Sequence, residues 1–378
     1  MSKALTEKIS LWQLFILIFI FEMGSAIIVG IGNDAKQDAW IAVGIASILG
    51  IGLFLFYHRL SARIEGKNLF ELLEIAFGKW IGKFITFMYV IYFFYIAARV
   101  LRDFGELLVS SILPATPIEI TVIMVMLIIT YVLYLGLEVL GRTSEIFFPY
   151  VILFIIGISL GIAFTGEIEL ENLLPILPEG VSPVLKAVFP TLLTFPFGEL
   201  IVFTLIMPYV SNAKYVARVG VLAVLAAGGL LVYSSIVQIT TLGYQMKNRS
   251  NFPLLSAARE ISLLDFIERV DLLIVFIMMF GVIIKVAVFT YGGTKGLELI
   301  FNRPYRQFIF PLTMLIAYMS IFISEDFAEH LEEGLVFVPL YLHLPFQLGI
   351  PLLIFPIIYW KTKGMKGGKQ RDQSKEIV

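Results

Sequence analysis

Two short stretches decide how this chain folds: Glu22-Met23-Gly24-Ser25 and Phe195-Pro196-Phe197-Gly198-Glu199. Each lies inside a long apolar run, the first at about 11–32 and the second at about 184–208. A run of that length crosses a membrane, because roughly 30 Å of hydrocarbon needs about 20 helical residues. Gly24 removes the Cβ and Ser25 adds a small hydroxyl, so the helix can unwind and a ligand can approach the backbone. Pro196 lacks an amide hydrogen and disturbs the preceding turn. Gly198 weakens the helix further, and Glu199 sets a carboxyl near mid-span. Taken singly, each break also fits a structural use, a small-residue packing contact at Gly24-Ser25 or a plain proline kink at Pro196. Paired breaks at matching places in two halves of a chain point instead to a midplane binding site.

Outward from these runs lie eight more, at about 39–60, 81–110, 118–136, 145–165, 215–243, 268–294, 305–323 and 335–360. The expectation is an all-α polytopic membrane protein of about ten transmembrane helices, forming one domain over residues 1–360. A polar, basic tail at 361–378 is expected to be disordered beside the cytoplasmic leaflet. Ten spans divide into five plus five, and an odd-numbered unit must invert its topology when repeated. The two breaks then fall in the first span of each half. The first run is too long for a signal-peptide core and lacks a small-x-small cleavage site.

Composition agrees. Of the 378 residues, 59% are hydrophobic and only 15% charged, with a mean hydropathy of +0.91. Soluble chains carry roughly 45–50% apolar and about 25% charged residues, so these figures argue against a soluble enzyme, a disordered chain or a coiled coil. The absence of Cys removes disulfides, thiolate metal sites and Cys nucleophiles. His58, His330 and His343 are far apart, each nearer a span end than a centre, and no metal-ligand spacing, triad or phosphate loop is seen. Gly292-Gly293-Thr294-Lys295 lacks the phosphate-loop spacing. No catalytic residue, cofactor or metal is expected, and a net charge of −1 provides no broad basic surface for nucleic acid.

The basic residues orient the chain. Lys36, Lys186, Lys247, Arg249, Arg259 and Arg269 fall on one side of the spans, and Arg99, Arg102 and Lys285 within them. All the other Lys and Arg lie on the side of both termini, which places the termini in the cytoplasm. The segment 324–334 on the opposite side is acidic.

Inside the spans the polar residues are few. Tyr92, Tyr95, Arg99, Arg102, Asp103 and Glu106 follow steps of three or four residues and share one helical face. Arg99–Asp103 and Arg102–Glu106 are spaced as i,i+4 pairs, which fits a self-neutralising ladder as well as a binding face. Tyr92, Tyr95 and Arg99 lie deeper and are the better candidates for contact with a ligand. Lys285 stands alone in Gly281-Val282-Ile283-Ile284-Lys285-Val286-Ala287 and must find an acid on another helix or lose its proton. Glu22 and Glu199 are the available acids.

Several segments, in order, resemble the spore germination receptor B-subunit family, the amino acid permease-like proteins of endospore formers. They are Lys8-Ile9-Ser10 with Gln13, Gly24-Ser25, Gln37-Asp38-Ala39-Trp40, Gly66-Lys67-Asn68-Leu69, and Gly78-Lys79-Trp80-Ile81-Gly82. Leu113-Pro114-Ala115-Thr116-Pro117, Asn172-Leu173-Leu174-Pro175, Phe195–Glu199 and Arg269-Val270-Asp271 follow. The resemblance implies a LeuT-like fold of the amino acid–polyamine–cation transporter superfamily, five plus five inverted helices with the first and sixth broken. It implies a germinant-sensing role in the spore inner membrane, with a larger membrane A subunit and a lipoprotein C subunit as partners. Related transporters often build a sodium site from hydroxyl groups of span eight against span one. Lys285 departs from that pattern, and its ammonium can take the place of the ion.

The expected ligand site comprises Gly24, Ser25 and Ala26, whose amides suit a carboxylate at the start of an outer half-helix. To these are added Tyr92, Tyr95, Arg99, Phe195, Phe197, Gly198 and Glu199, the two phenyl rings setting side-chain selectivity. Glu22 and Lys285 are expected to be ion-substituting or proton-linked, with Glu22 the favoured partner of Lys285 and Glu199 the second choice. The first functional expectation is a receptor subunit that binds a small germinant, an amino acid. A proton-coupled or ion-independent amino acid permease and a scaffold with a vestigial cavity are the alternatives.

Overall fold

The computed structural model describes residues 7–165, 168–260 and 271–375, apart from the side chains of 165 and 364–375. Lys3, Arg269-Val270 and the expected start of the eighth span at 268–270 lie outside the described residues, as do 376–378 of the tail. Within the described residues the chain is helical, and its one sheet-like contact is a parallel bridge between Ile9 and Val210. Eight helices are long and apolar enough to cross a membrane. Arg306–Phe322 joins Phe327–Phe337 in a pair bent by 111°, and Leu11–Met23 is a shorter apolar helix. Each of the ten apolar runs thus carries a helical segment.

The first span starts at a capping box. The Ser10 hydroxyl accepts from the Gln13 amide at 3.0 Å, and the Gln13 side chain accepts from the Ser10 amide at 2.9 Å. The helix stops at Met23, because Gly24 takes a φ of +29° that other residues rarely adopt. The outer half-helix expected beyond it is absent. Residues 24–29 form turns, with the Val29 amide bonded to the Ser25 carbonyl. The physical reason lies in span seven, Val216–Arg249. Ser234 and Gln238 donate to the Ile27 carbonyl and Lys247 donates to the Ile31 carbonyl, so these groups are held across the bundle.

The sixth span also breaks where expected. It runs as Ser182–Ala187 and a π turn at Val188–Leu192, opens at Phe195-Pro196, and resumes as a 3₁₀ helix over Phe197–Leu205. A 3₁₀ run of this length is uncommon and marks a hinge or local strain. The tenth span is π-helical over Pro339–Gly349 and continues as an α-helix, Ile350–Lys375. That helix runs on through most of the segment expected to be a disordered tail, whose Lys, Arg, Gln and Met are good helix formers.

Span one packs on spans five, seven and eight, and span eight (Asp271–Phe301) lies along span three (Lys79–Ser111). Spans one and eight approach closely because Gly281 meets Gly24; a Cβ on Gly281 would come 3.0 Å from the Gly24 Cα. Exposed Trp80, Phe84, Phe164, Phe310 and Trp360 face outward, as the lipid-facing side of a bundle requires. On the side of the termini, Glu7 accepts from the Tyr305 hydroxyl at 2.9 Å and pairs with Arg306.

Candidate ligand site

Lys285 joins the two breaks. Its stem packs on Gly24, where a Cβ would lie 2.6 Å from the Lys285 Cδ. Its Nζ lies 2.5 Å from Glu199 Oε2, just past the second break, with both side chains fully buried. The rings of Phe21 and Phe195 flank the ammonium at 5.0 and 4.9 Å from their centroids. The contact is a close ion pair without an oriented hydrogen bond. Glu22, the favoured partner on sequence grounds, is not the acid that meets Lys285. Phe21 presents its ring to the ammonium, and the next residue on a helix is turned about 100° away. Both Glu22 carboxyl oxygens are buried without a hydrogen-bond partner.

Glu199 and Phe195 also form part of the wall of a cavity of 50 Å³. That holds a few water molecules and falls below the roughly 300–1,000 Å³ of small-molecule pockets. Arg99, Asp103, His330 and His343 supply its other polar walls. Val29, Leu331 and Leu335 line both this cavity and an outer one of 390 Å³ beside Asn33 and Asn251. These three apolar residues are shared by the walls of the two.

The stripe on span three pairs differently from an intrahelical ladder. Arg102 and Glu106 do lie within 3.7 Å. Arg99 instead reaches Glu333 at 3.1 Å, the Tyr95 hydroxyl at 3.1 Å and the His330 carbonyl, while Asp103 meets His330 Nε2 at 2.9 Å. The bent segment after span nine offers these partners across the cavity, and tertiary contact replaces the i,i+4 pairing. Deeper on the same face, the Tyr92 hydroxyl lies 2.8 Å from His343 Nδ1 and accepts from Gln347 Nε2 at 2.8 Å. Gly198 is pressed against Gln347, whose Oε1 would be 2.0 Å from a Cβ there.

The structure brings Arg99, Phe195 and Glu199 to the cavity and ties Tyr92 to its His343 wall. Tyr95 contacts Arg99 and lines an outer groove with Phe337 and Tyr341. The two phenyl rings separate. Phe195 is in the cavity wall, but Phe197 packs on Gly50 of span two (Ala39–Ser61), where a Cβ would be 2.7 Å from its ring. Gly24, Ser25 and Ala26 do not line the cavity; Gly24 connects to it through the Lys285–Glu199 pair. The amides of Ser25 and Ala26 carry no hydrogen bond among the described residues, and the Ser25 hydroxyl is buried unpaired. His330, His343 and Gln347 are additions that sequence reasoning missed. The one available signal was His343 and Gln347 at i,i+4 spacing inside an apolar run.

A polytopic helical protein whose first and sixth spans break beside a buried ion pair and a small cavity has the architecture of transporter-type membrane proteins. The fold is that of LeuT-like transporters. It superposes on MhsT in complex with L-phenylalanine (TM-score 0.64, 13% identity, 93% of this chain and 87% of that one). It also superposes on Mhp1, a nucleobase-cation-symport-1 family transporter in a closed conformation with bromovinylhydantoin bound (TM-score 0.62, 12% identity, 86% and 74%). A family model for spore germination proteins, the spore permeases, matches residues 8–328. The chain is 36% identical to Spore germination protein KB of Bacillus subtilis (strain 168), over 97% of this chain and 99% of that protein. It is 26% identical to Spore germination protein A2 of the same organism, over 86% and 87%. The chain belongs to the spore germination permease family.

Proposed function

We propose that this protein is the B subunit of an endospore germinant receptor, which binds a small germinant, an amino acid, to trigger germination. The observation that carries this function is the convergence of both helix breaks on the buried Lys285–Glu199 pair beside a small cavity. In this mechanism the ligand carboxylate takes the unpaired amides of Ser25 and Ala26, with Gly24 leaving room for its approach. The Lys285 ammonium stands in for a coupling ion between spans one and eight, and Phe195 limits the ligand side chain. Arg99 closes the outer side through Glu333. Because the cavity measures 50 Å³, side chains around it shift when an amino acid enters. The protein sits in the spore inner membrane with both termini in the cytoplasm. It works with a membrane A subunit and a lipoprotein C subunit, and with no nucleic acid.

Glu22 favours a second function, a proton-coupled amino acid permease, since it is a buried carboxyl without a partner, close to the first break. Purified protein in liposomes separates the two. Saturable binding of labelled L-amino acids without accumulation supports the receptor. Accumulation driven by a proton gradient, and lost in Glu22→Gln, supports the permease.

A further inference from the structure

His343 lines the cavity and is only 2% exposed, on the π-helical part of span ten. Its Nδ1 lies 2.8 Å from the Tyr92 hydroxyl, which also accepts the Gln347 amide at 2.8 Å. The direction of this chain follows from Gln347. Its Oε1 lies against the bare Cα of Gly198, buried and without a hydrogen-bond partner among the described residues. Its Nε2 donates to the Tyr92 hydroxyl. The single Tyr92 proton is then directed at His343 Nδ1, which leaves the imidazole proton on Nε2. Among the described residues the ring's hydrogen bond is the one at Nδ1, and the imidazole forms part of the cavity wall.

The other polar walls are already engaged. Arg99 serves Glu333, Tyr95 and the His330 carbonyl; Asp103 serves His330; Glu199 serves Lys285. We infer that His343 Nε2–H is the specificity-determining donor of the cavity, aligned by Tyr92, and that it reads an acceptor oxygen on the ligand other than its α-carboxylate. Resting on the amino acid site proposed above, this assigns the ligand to neutral amino acids with a hydroxyl or amide side chain. A site built around a buried donor rejects an isostere that lacks the acceptor, because the donor is then left unpaired.

Two measurements test this. The first is binding of L-threonine against L-valine, and of L-glutamine against L-norleucine, to the purified full-length protein in nanodiscs. Native protein should favour the polar member of each pair by roughly tenfold or more. His343→Leu should bring the ratio close to one, His343→Gln should restore part of it, and Tyr92→Phe should reduce it only while His343 is present. Equal binding of the paired ligands by native protein, or a ratio unchanged in His343→Leu, overturns the inference while leaving the amino acid site intact. Native protein that binds none of the four contradicts both. The second measurement needs no ligand: ¹⁵N NMR of labelled histidine, with His58 and His330 assigned by substitution with Gln. His343 should hold its proton on Nε2 in native protein and lose that fixed tautomer in Tyr92→Phe. A native Nδ1–H tautomer overturns the inference.

Discussion

Lys285 is the residue that both breaks meet, a cation in an apolar helix with an acid at 2.5 Å and aromatic faces on two sides. A buried pair is not in itself a large source of stability, but removing one partner leaves an uncompensated charge at a cost of about 3–5 kcal/mol. Lys285→Met and Glu199→Gln should each destabilise the purified protein by that order in thermal unfolding, and the double variant should recover part of the loss. Glu22→Gln should combine with Lys285→Met without such recovery. Recovery with Glu22 in place of Glu199 would reverse the pairing described here. Gly24→Ala tests the same contact from the other side. A methyl group would strain a backbone at φ +29° and meet the Lys285 Cδ at 2.6 Å, so ligand binding should be lost while the protein still inserts. The sequence marks Lys285, Glu22 and Glu199 as residues that need an explanation in lipid. It ranks Glu22 above Glu199, and the structure reverses that order, because the choice depends on which way the helix before Gly24 presents Phe21.

Among the elements, the bent segment Phe327–Phe337 covers the outer side of the cavity. It is clamped to span three by Arg99–Glu333 and His330–Asp103. Its Leu331 and Leu335, with Val29, form an apolar layer shared by the inner cavity and the outer one. Loosening the clamp should open that layer. The chain has no Cys, so a single Leu335→Cys reports alone. Its reaction with a charged thiol reagent should be several-fold faster in the Asp103→Asn background than without it. Equal rates would show that the clamp does not hold the segment shut. This element was hard to find from sequence. The stripe of span three is legible at helical spacing, but Glu325, Asp326, Glu329, Glu332 and Glu333 read only as an acidic outer loop. Glu325, Asp326 and Glu329 bond within the segment, whereas Glu333 meets Arg99 at a separation of 234 residues. The turns after Gly24 were hidden for the same reason, since Ser234, Gln238 and Lys247 take up carbonyls of span one from a distant helix.

For the whole molecule, hydropathy alone locates the membrane spans, because any backbone group in lipid must be bonded within its own helix. Gly24 and Pro196 locate the two places where that rule is relaxed around a cavity. The orientation rests on where Lys and Arg lie, and the lack of Cys makes it directly testable. In intact cells expressing single-Cys variants, an impermeant maleimide should label Glu171→Cys at once and Glu65→Cys only after permeabilisation. The reverse order would invert the topology. Transporter architecture does not by itself mean transport, and the function proposed here is ligand sensing in a transporter-shaped site. The most direct test is equilibrium binding of a panel of labelled L-amino acids to the purified protein, run beside uptake into liposomes and repeated with Gly24→Leu. Native protein should bind at least one amino acid saturably without accumulating it, and Gly24→Leu, folded and inserted, should not bind it. Absence of saturable binding to every amino acid, or undiminished binding by Gly24→Leu, would contradict a ligand site at the paired helix breaks.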